Sequence, residues 1–504
     1  MVAEGWLQRA AAARPGGVAL QTSHGCLSYA ELLACASAGA AELAARGAAP
    51  GRRVAIALPP GLAFAQALHA CLLLGAVAVP VDLRLLGAER ERIAAGAVVR
   101  VEEPLSTVGG GRNATGSARS GGDRAGAGAD PAAAERYLGA RHDLAATAVV
   151  IHTSGTTSAP KPIELTYGNF LWSALGSAVA LGLDPRERWL CALPLAHVGG
   201  LSILLRCAIY ATTAVVHERF DTDAVLDALR EQGITLVSVV ATTLQRLLDA
   251  GLERPPSLRC ALTGGGPVPP ALLSRARAAG VPVSLTYGLT EACSQVTTSP
   301  VGATAGRSEG GGGLGGDRGM SPGGYAGPPL FCTRLRIANA SLGAQGEPDE
   351  PGAQGVPEDG EIMVAGPTVA PGSLGPDGWL HTGDLGAFDE HGRLHVTGRK
   401  ADTIVSGGEN VAPAEVEAVL EAHPDVLEAA VLGRADERWG EAVTAIVVAR
   451  PGAVLEGEAL RAHCARDLAA HKVPKRVSFA HEPLPRTRSG KLLRKELQVV
   501  AEED

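Results

Sequence analysis

Surplus positive charge is absent from this chain. Lys and Arg number 45 against 53 Asp and Glu, so the net charge is −8, which excludes bulk nucleic-acid binding as the main role. Anionic ligands must instead be met by local cations and helix N-termini. Clustered cysteine is absent too. The nine cysteines, at 26, 35, 71, 191, 207, 260, 293, 332 and 464, make no CxxC pair and no Cys/His group at zinc spacing. A zinc site is excluded, and reduced core thiols in a cytoplasmic protein are expected. The opening MVAEGWLQRAAAARPGG has acid and arginine where a secretory leader needs an apolar stretch. No tandem repeat is visible. Aromatic residues make up only 3%, and with 65 glycines this reads as coding bias rather than as a fold class.

The longest apolar run, LAFAQALHACLLLGAVAVPV at 62–81, is long enough to raise the question of a membrane span. Gln66, His69 and Gly75 inside it favour a buried helix over 62–74 leading into a strand over 76–81. No membrane insertion is expected.

What is present is a long alternation of helix and strand patterns. The 504 residues, 46% hydrophobic, are enough for roughly three or four domain-sized units. A helix is predicted over 29–46 and a strand over 52–58. The Gly-, Ala-, Ser- and Arg-rich segment 103–135 is expected to be a loop or linker. Helices are then predicted over 169–182, 198–210, 221–232, 242–250 and 270–279, with strands over 188–193, 212–217, 235–240, 258–266 and 281–288. That rhythm predicts an α/β fold. A second Gly-rich stretch, 307–327, is expected to be an exposed loop and precedes a strand-rich region over 331–398. Beyond it, helices at 415–423 and 456–470 alternate with strands at 427–433 and 443–449. The expected architecture is a large N-terminal domain, 1–398, of mixed sheets packed with helices plus a small β-rich part, followed by a small α+β C-terminal domain, 399–504.

One loop raises the question of phosphate. In IHTSGTTSAPKP, 151–162, an apolar run ends in hydroxyls, a glycine and then Lys161. Hydroxyls and backbone N–H groups can wrap phosphate oxygens while a lysine neutralises charge. The pattern is not a Walker A loop, because Lys161 follows Pro160 and no Ser or Thr comes next.

Five segments in order extend the pattern: TSGTTSAPK (153–161), YGLTE (287–291), HTGDLG (381–386), GRKADTIVSGGENVAPAEVE (398–417) and RTRSGKLLRKEL (486–497). Together they resemble the motifs of the adenylate-forming superfamily, which includes acyl-CoA synthetases and adenylation domains. The resemblance implies two half-reactions. A carboxylate attacks the α-phosphate of ATP, giving an acyl-adenylate and pyrophosphate, and a thiol then displaces AMP. It assigns Lys491 to the carboxylate and α-phosphate, and Thr153, Ser154, Gly155, Thr156, Thr157 and Lys161 to the phosphates. Glu291, with Thr156, would hold Mg²⁺. Tyr287, Thr290, Gly265 and Gly266 would line the nucleotide, and Asp384 and Arg399 would take the ribose hydroxyls. The resemblance makes the C-terminal domain mobile, so that Lys491 leaves after adenylation and the loop with Gly407 and Gly408 enters for coenzyme A. Three positions depart from the usual pattern: Ser158 and Pro162 replace glycines, and Ala401 stands where the pivot usually has Asp or Lys.

The segments LCALPLAHVGGLSILLRCAIYATTAVVHERFD (190–221), LTGGGPVPPALL (262–273) and TYGLTEACSQVTTSP (286–300) bear on the acid. Within the superfamily they resemble most the branch that ligates 2-succinylbenzoate to coenzyme A in menaquinone biosynthesis. That small-molecule acid has two carboxylates, so one needs a permanent partner while the other reacts. Arg206, in the apolar stretch ILLRCAIY, suits the first, though it could also reach solvent or pair with a protein acid. His197 would lie beside the reacting carboxylate, and Ser238, Gly264 and Gln295 would complete the wall. Three alternatives stay open on sequence alone: another aryl- or acyl-CoA ligase, an enzyme that loads a carrier protein, and a non-catalytic acid-binding paralogue. A homo-oligomer is also compatible.

Overall fold

The computed structural model describes residues 1–107, 139–153, 160–301, 325–339, 360–389, 392–406, 409–436, 438–486, 492–494 and 496–497. The predicted loops 103–135 and 307–327 fall mostly outside these ranges.

The fold is α/β and is built on two large sheets. One has eight strands in the order Ser294–Thr298, Val283–Leu289, Cys260–Thr263, Leu236–Val239, Arg188–Cys191, Thr213–Val216, Val18–Thr22 and Gly25–Ser28. Its six inner strands are parallel and its two edges antiparallel. The other has five strands: Val99–Val101, Arg53–Ile56, Val77–Pro80, Thr147–Thr153 and Lys161–Thr166. A common core fills the space between them, containing Val54, Ala78 and Val149 from one sheet and Leu20, Trp189 and Leu236 from the other. Helices such as Tyr29–Ala45, Leu62–Leu74 and Val198–Tyr210 contribute to it. Buried parallel strands read as continuous apolar runs rather than alternations, which is why the strand cores were visible in the sequence. No helix among the described residues is long and apolar enough to cross a membrane, and 62–74 is a buried helix.

Local signals set the helix starts. Ser28 caps Tyr29–Ala45 in a reciprocal pair with Glu31, which satisfies two orphan donors of the first turn. Thr166 and Asn169 do the same for Tyr167–Leu181, and the Asn169 amide also donates to the carbonyls of Pro367 and Val369 at 2.9 Å each. That side chain fixes the helix start against the next layer. There a four-stranded antiparallel sheet, Arg334–Asn339, Gly360–Ala365, Leu380–Phe388 and Leu394–Arg399, packs Ile362, Val364 and Leu380 against Ala292 and Val296. The last sheet comprises Ile404–Ser406, Glu409–Val411, Val426–Asp436, Gly440–Ala449 and Arg476–Ala480, covered by helices Pro413–Glu421 and Gly457–Asp467.

Several expectations need correction. The strand predicted over 258–266 is only Cys260–Thr263, because Gly264 and Gly265 turn the chain away. The helix predicted over 456–470 stops at Asp467, with Leu468 as its cap in extended conformation. Lys161 is not in the loop but opens a strand, paired with Thr153, so the hydroxyl-rich segment joins the two strands of a hairpin. Its alternation, buried Ile163 and Leu165 with exposed Pro162 and Glu164, is masked in the sequence by the proline. An edge strand tolerates that missing donor. Strands of three to five residues, Val2–Glu4 with Arg141–Asp143 and Val18–Thr22 with Gly25–Ser28, were too short to detect by period.

Candidate functional site

Four neighbouring parallel strands of the eight-stranded sheet end on one side of the molecule. After Arg188–Cys191 comes the loop to His197, Ser238 lies near the end of its strand, Gly264 to Gly266 follow Cys260–Thr263, and Val283–Leu289 runs into the single turn Thr290–Ala292. Ligands of open α/β sheets bind at such carboxyl ends. The sequence-predicted residues 197, 238, 264–266, 287, 290 and 291 therefore converge on one sheet edge.

The glycines have separate reasons to be there. A β-carbon on Gly264 would lie 2.7 Å from the carbonyl oxygen of Thr286, so the neighbouring strand requires the bare backbone. Gly265 has φ +83°, a left-handed conformation that favours glycine. Only Gly266 faces open space.

Three elements meet at Asp384. The Tyr287 phenol donates to Oδ2 of Asp384 at 2.8 Å, and Nε of Arg399 lies 2.8 Å from Oδ1. The carboxylate is buried, at 8% side-chain exposure, while Arg399 is half exposed. Burial, then the Asp384 charge, holds the phenol well above its ordinary range, so it is a neutral donor. This contact joins the eight-stranded sheet to the four-stranded one.

Glu291 is the middle residue of the turn Thr290–Ala292, and its carbonyl accepts from the amide of Ala370 at 2.8 Å. Among the described residues no hydrogen bond or ion pair takes up its carboxylate, and no group of three metal-ligating side chains occurs. A lone carboxylate fits Mg²⁺, which is commonly held by one or two carboxylates together with substrate phosphates. The turn is strained: Cys293 and Ser294 have φ of 53° and 91°, conformations costly for residues with side chains.

His197 caps the helix Val198–Tyr210 at the end of LPLA. Arg84 and Asp82 flank it, with Arg84 Nη2 3.4 Å and Asp82 Oδ2 3.8 Å from its Nε2. Arg84 grips Asp82 through two nitrogens, at 2.8 and 2.6 Å. Burial opposes the Asp82 charge, but the Arg84 hydrogen bonds outweigh it and keep that carboxyl below the usual range. Sequence reasoning missed both residues, which only the fold brings to His197.

Arg206 is buried, 2% exposed, in the same helix. Its Nη2 donates to Ser173 Oγ at 3.1 Å, and that hydroxyl donates to the carbonyl of Cys293 at 2.7 Å. The guanidinium lies 5.6 Å from the centre of the Trp189 ring, whose Nε1 donates to Ser238 Oγ at 3.0 Å. Nε of Arg206 has no partner, and no acid among the described residues pairs with it. Both bland readings, a solvent-reaching head and a protein ion pair, are thus absent among the described residues. Gln295 is buried and is the cross-strand partner of Gly288. Its Nε2 donates to Thr298 Oγ1 at 2.7 Å, and its Oε1 has no partner.

Lys161 is exposed, at the hairpin beside Thr153, and is not brought to Asp384 by any described contact. Ser154, Gly155, Thr156, Thr157, Gly407, Gly408 and Lys491, with Ser158, lie outside the described residues.

A family model described as AMP-binding enzyme matches residues 7–374, and the AMP-binding enzyme C-terminal domain matches 415–491. The chain belongs to the AMP-binding enzyme family. Relatives within it include the 2-succinylbenzoate–CoA ligase of Geobacillus kaustophilus, 38% identical over 509 residues, covering 98% of this chain and 97% of that protein. The Bacillus subtilis 2-succinylbenzoate–CoA ligase is 37% identical over 519 residues, with the same coverage. A solved structure of the Bacillus subtilis o-succinylbenzoate CoA synthetase with its acyl-adenylate intermediate superposes with a TM-score of 0.79. It is 34% identical and covers 99% of this chain and 98% of that one. The same synthetase with ATP and magnesium ion also gives 0.79, covering 99% and 100%. The two ligases and the solved synthetase align with this chain over 98–99% of its length.

Proposed function

We propose that this chain ligates 2-succinylbenzoate to coenzyme A through an acyl-adenylate, in menaquinone biosynthesis, as a cytoplasmic enzyme. The observation that carries the reading is the likeness along 98% of the chain to proteins of that activity. In the first step a carboxylate oxygen of the acid bonds to the α-phosphorus and the bond to pyrophosphate breaks. In the second, the thiol sulfur of coenzyme A bonds to the acyl carbon and AMP leaves.

The chain's residues divide the work. Asp384 and Arg399 take the ribose hydroxyls, Tyr287, Thr290, Gly265 and Gly266 line the nucleotide, and the hairpin from Thr153 to Lys161 holds the leaving pyrophosphate. Glu291, with Thr156, would hold Mg²⁺, which would supply charge neutralisation on the phosphates. Lys491 supplies the cation at the carboxylate and α-phosphate. His197, steadied by Arg84 and Asp82, faces the reacting carboxylate, with Ser238, Gly264 and Gln295 in the wall. Arg206 takes the ring carboxylate; the support is a buried guanidinium without an acid partner among the described residues, a costly arrangement unless a ligand completes it. The chain divides at 398/399, and rotation of 399–504 exchanges Lys491 for the loop with Gly407 and Gly408, which meets coenzyme A.

The test is pyrophosphate release in the presence of ATP and Mg²⁺, with and without coenzyme A. The acids are 2-succinylbenzoate, benzoate, 4-phenylbutyrate and octanoate. Turnover confined to 2-succinylbenzoate is expected, with thioester formed only when coenzyme A is present. Equal turnover of octanoate would sink the substrate assignment, and pyrophosphate release from none of the acids would sink the enzymatic one.

A further inference from the structure

The described residues on either side of Lys491 are fastened. Arg486 and Leu492 form an antiparallel bridge, and the Leu493 amide donates to the carbonyl of Pro485 at 2.9 Å. Leu484 and Leu497 are buried, with Leu492 partly so, against the strands Val426–Asp436 and Gly440–Ala449. These apolar contacts dock the flanking residues on the C-terminal sheet. They do not set the relation of these residues to the junction at 398–402.

The Arg494 side chain reaches from these residues to the junction. Arg494 stands three residues after Lys491. Its Nη1 donates to Oε1 of Glu417, its Nη2 to Oε2 of the same carboxylate at 3.0 Å, and its Nη1 also to the carbonyl of Val431 at 2.9 Å. The remaining nitrogen, Nε, lies 3.5 Å from Oδ2 of Asp402. Asp402 closes the turn Lys400–Asp402, which directly follows Arg399 and contains Ala401. One guanidinium therefore ties the lysine segment to the helix Pro413–Glu421, to the strand Val426–Asp436 and to the junction. It is largely shielded, with 23% side-chain exposure, and Glu417 has 15%. A two-pronged pair in that setting holds direction as well as distance. At the other end Arg486 Nη2 reaches Glu428 at 3.2 Å.

We propose that Arg494 is a positioning residue for the adenylation half-reaction, holding the Lys491 segment in register with the junction beside Arg399. This rests on the reading of Lys491 given above. A misplacement of about 1 Å can cost on the order of 100-fold in rate, and only the half-reaction that uses Lys491 is exposed to it.

The experiment measures the two half-reactions separately in the full-length protein. Adenylation is followed by 2-succinylbenzoate-dependent exchange of pyrophosphate into ATP, and thioester formation by supplying the acyl-adenylate with coenzyme A. Arg494→Ala is expected to lower kcat of adenylation roughly 10- to 100-fold, with KM for ATP within about twofold and thioester formation within about threefold. Arg494→Lys, which keeps charge but not the fork, should recover part of the loss. Adding Glu417→Gln to Arg494→Ala should cost little more, because the two act as a unit. Equal losses in both half-reactions for Arg494→Ala and Arg494→Lys alike would overturn the proposal, since they mark a general structural role. So would unchanged adenylation in Arg494→Ala while Lys491→Ala abolishes it. If Lys491→Ala itself retains full adenylation, the reading of Lys491 fails first and this inference goes with it.

Discussion

Asp384 has both carboxylate oxygens engaged by protein donors, Tyr287 on one and Arg399 on the other. On the proposed function a ribose would share them, and the Tyr287 phenol would set how the acid is aimed. Tyr287→Phe keeps the ring but loses the donor. A hydrogen bond to a charged group contributes about 1.5–3 kcal/mol, and a neutral one about 1. We expect KM for ATP to rise roughly five- to tenfold with kcat within about twofold, read by steady-state kinetics; an unchanged KM would detach Tyr287 from the nucleotide. Arg206 was legible in the sequence because a charge inside ILLRCAIY violates its surroundings. Its neighbours Ser173 and Trp189 were not, since they come from other elements and look like ordinary core residues. Asp82 and Arg84 were illegible for a related reason: only folding brings 82–84 to His197, more than a hundred residues away.

At the scale of elements, the glycine turn after Cys260–Thr263 lies close against the neighbouring strand at Thr286. Gly264→Ala would force a methyl to 2.7 Å from the Thr286 carbonyl oxygen, and backbone cannot yield as a side-chain tip can. Overpacking of this kind costs about 1–3 kcal/mol. A lower urea midpoint with unchanged slope is expected, together with weaker ATP binding, because Thr286 adjoins Tyr287; a variant as stable as the parent would show that the two strands can part. Helices such as 198–210 were readable from apolar spacing almost to the residue. The hairpin of Thr153 and Lys161 was not, because its return strand begins with a lysine and a proline and shows its alternation only at Ile163 and Leu165. The strained turn at Cys293 and Ser294 left no signal either, since neither residue type favours positive φ.

For the whole molecule, stability should depend on pH through two core histidines. His142 stacks on Tyr167 with ring centres 4.3 Å apart and accepts the Trp6 amide at 3.3 Å. Burial pulls both His69 and His142 down to about 4. A histidine whose folded value lies below its unfolded one, near 6.5, binds its proton more readily when unfolded. The stability it contributes is complete above about 6.5 and is lost as pH falls toward 4. Urea midpoints should be flat from pH 8 to 7 and drop steeply between 6 and 4.5; His142→Phe should shallow that drop, and an identical profile in the variant would exclude His142 as a source. The broad α/β architecture was legible because strand and helix periods alternate along the chain. The order of the strands was not, since pairing Val18–Thr22 with Thr213–Val216 depends on contacts across nearly two hundred residues. The measurement that bears most directly on the central claim is thioester formation with 2-succinylbenzoate against 4-phenylbutyrate, in the parent protein and in Arg206→Ala. The account predicts a kcat/KM ratio of on the order of 100 or more in the parent, as expected when a buried charge loses its partner, and a ratio near one in the variant. A parent that uses both acids equally well, or a variant that keeps the full preference, would contradict it.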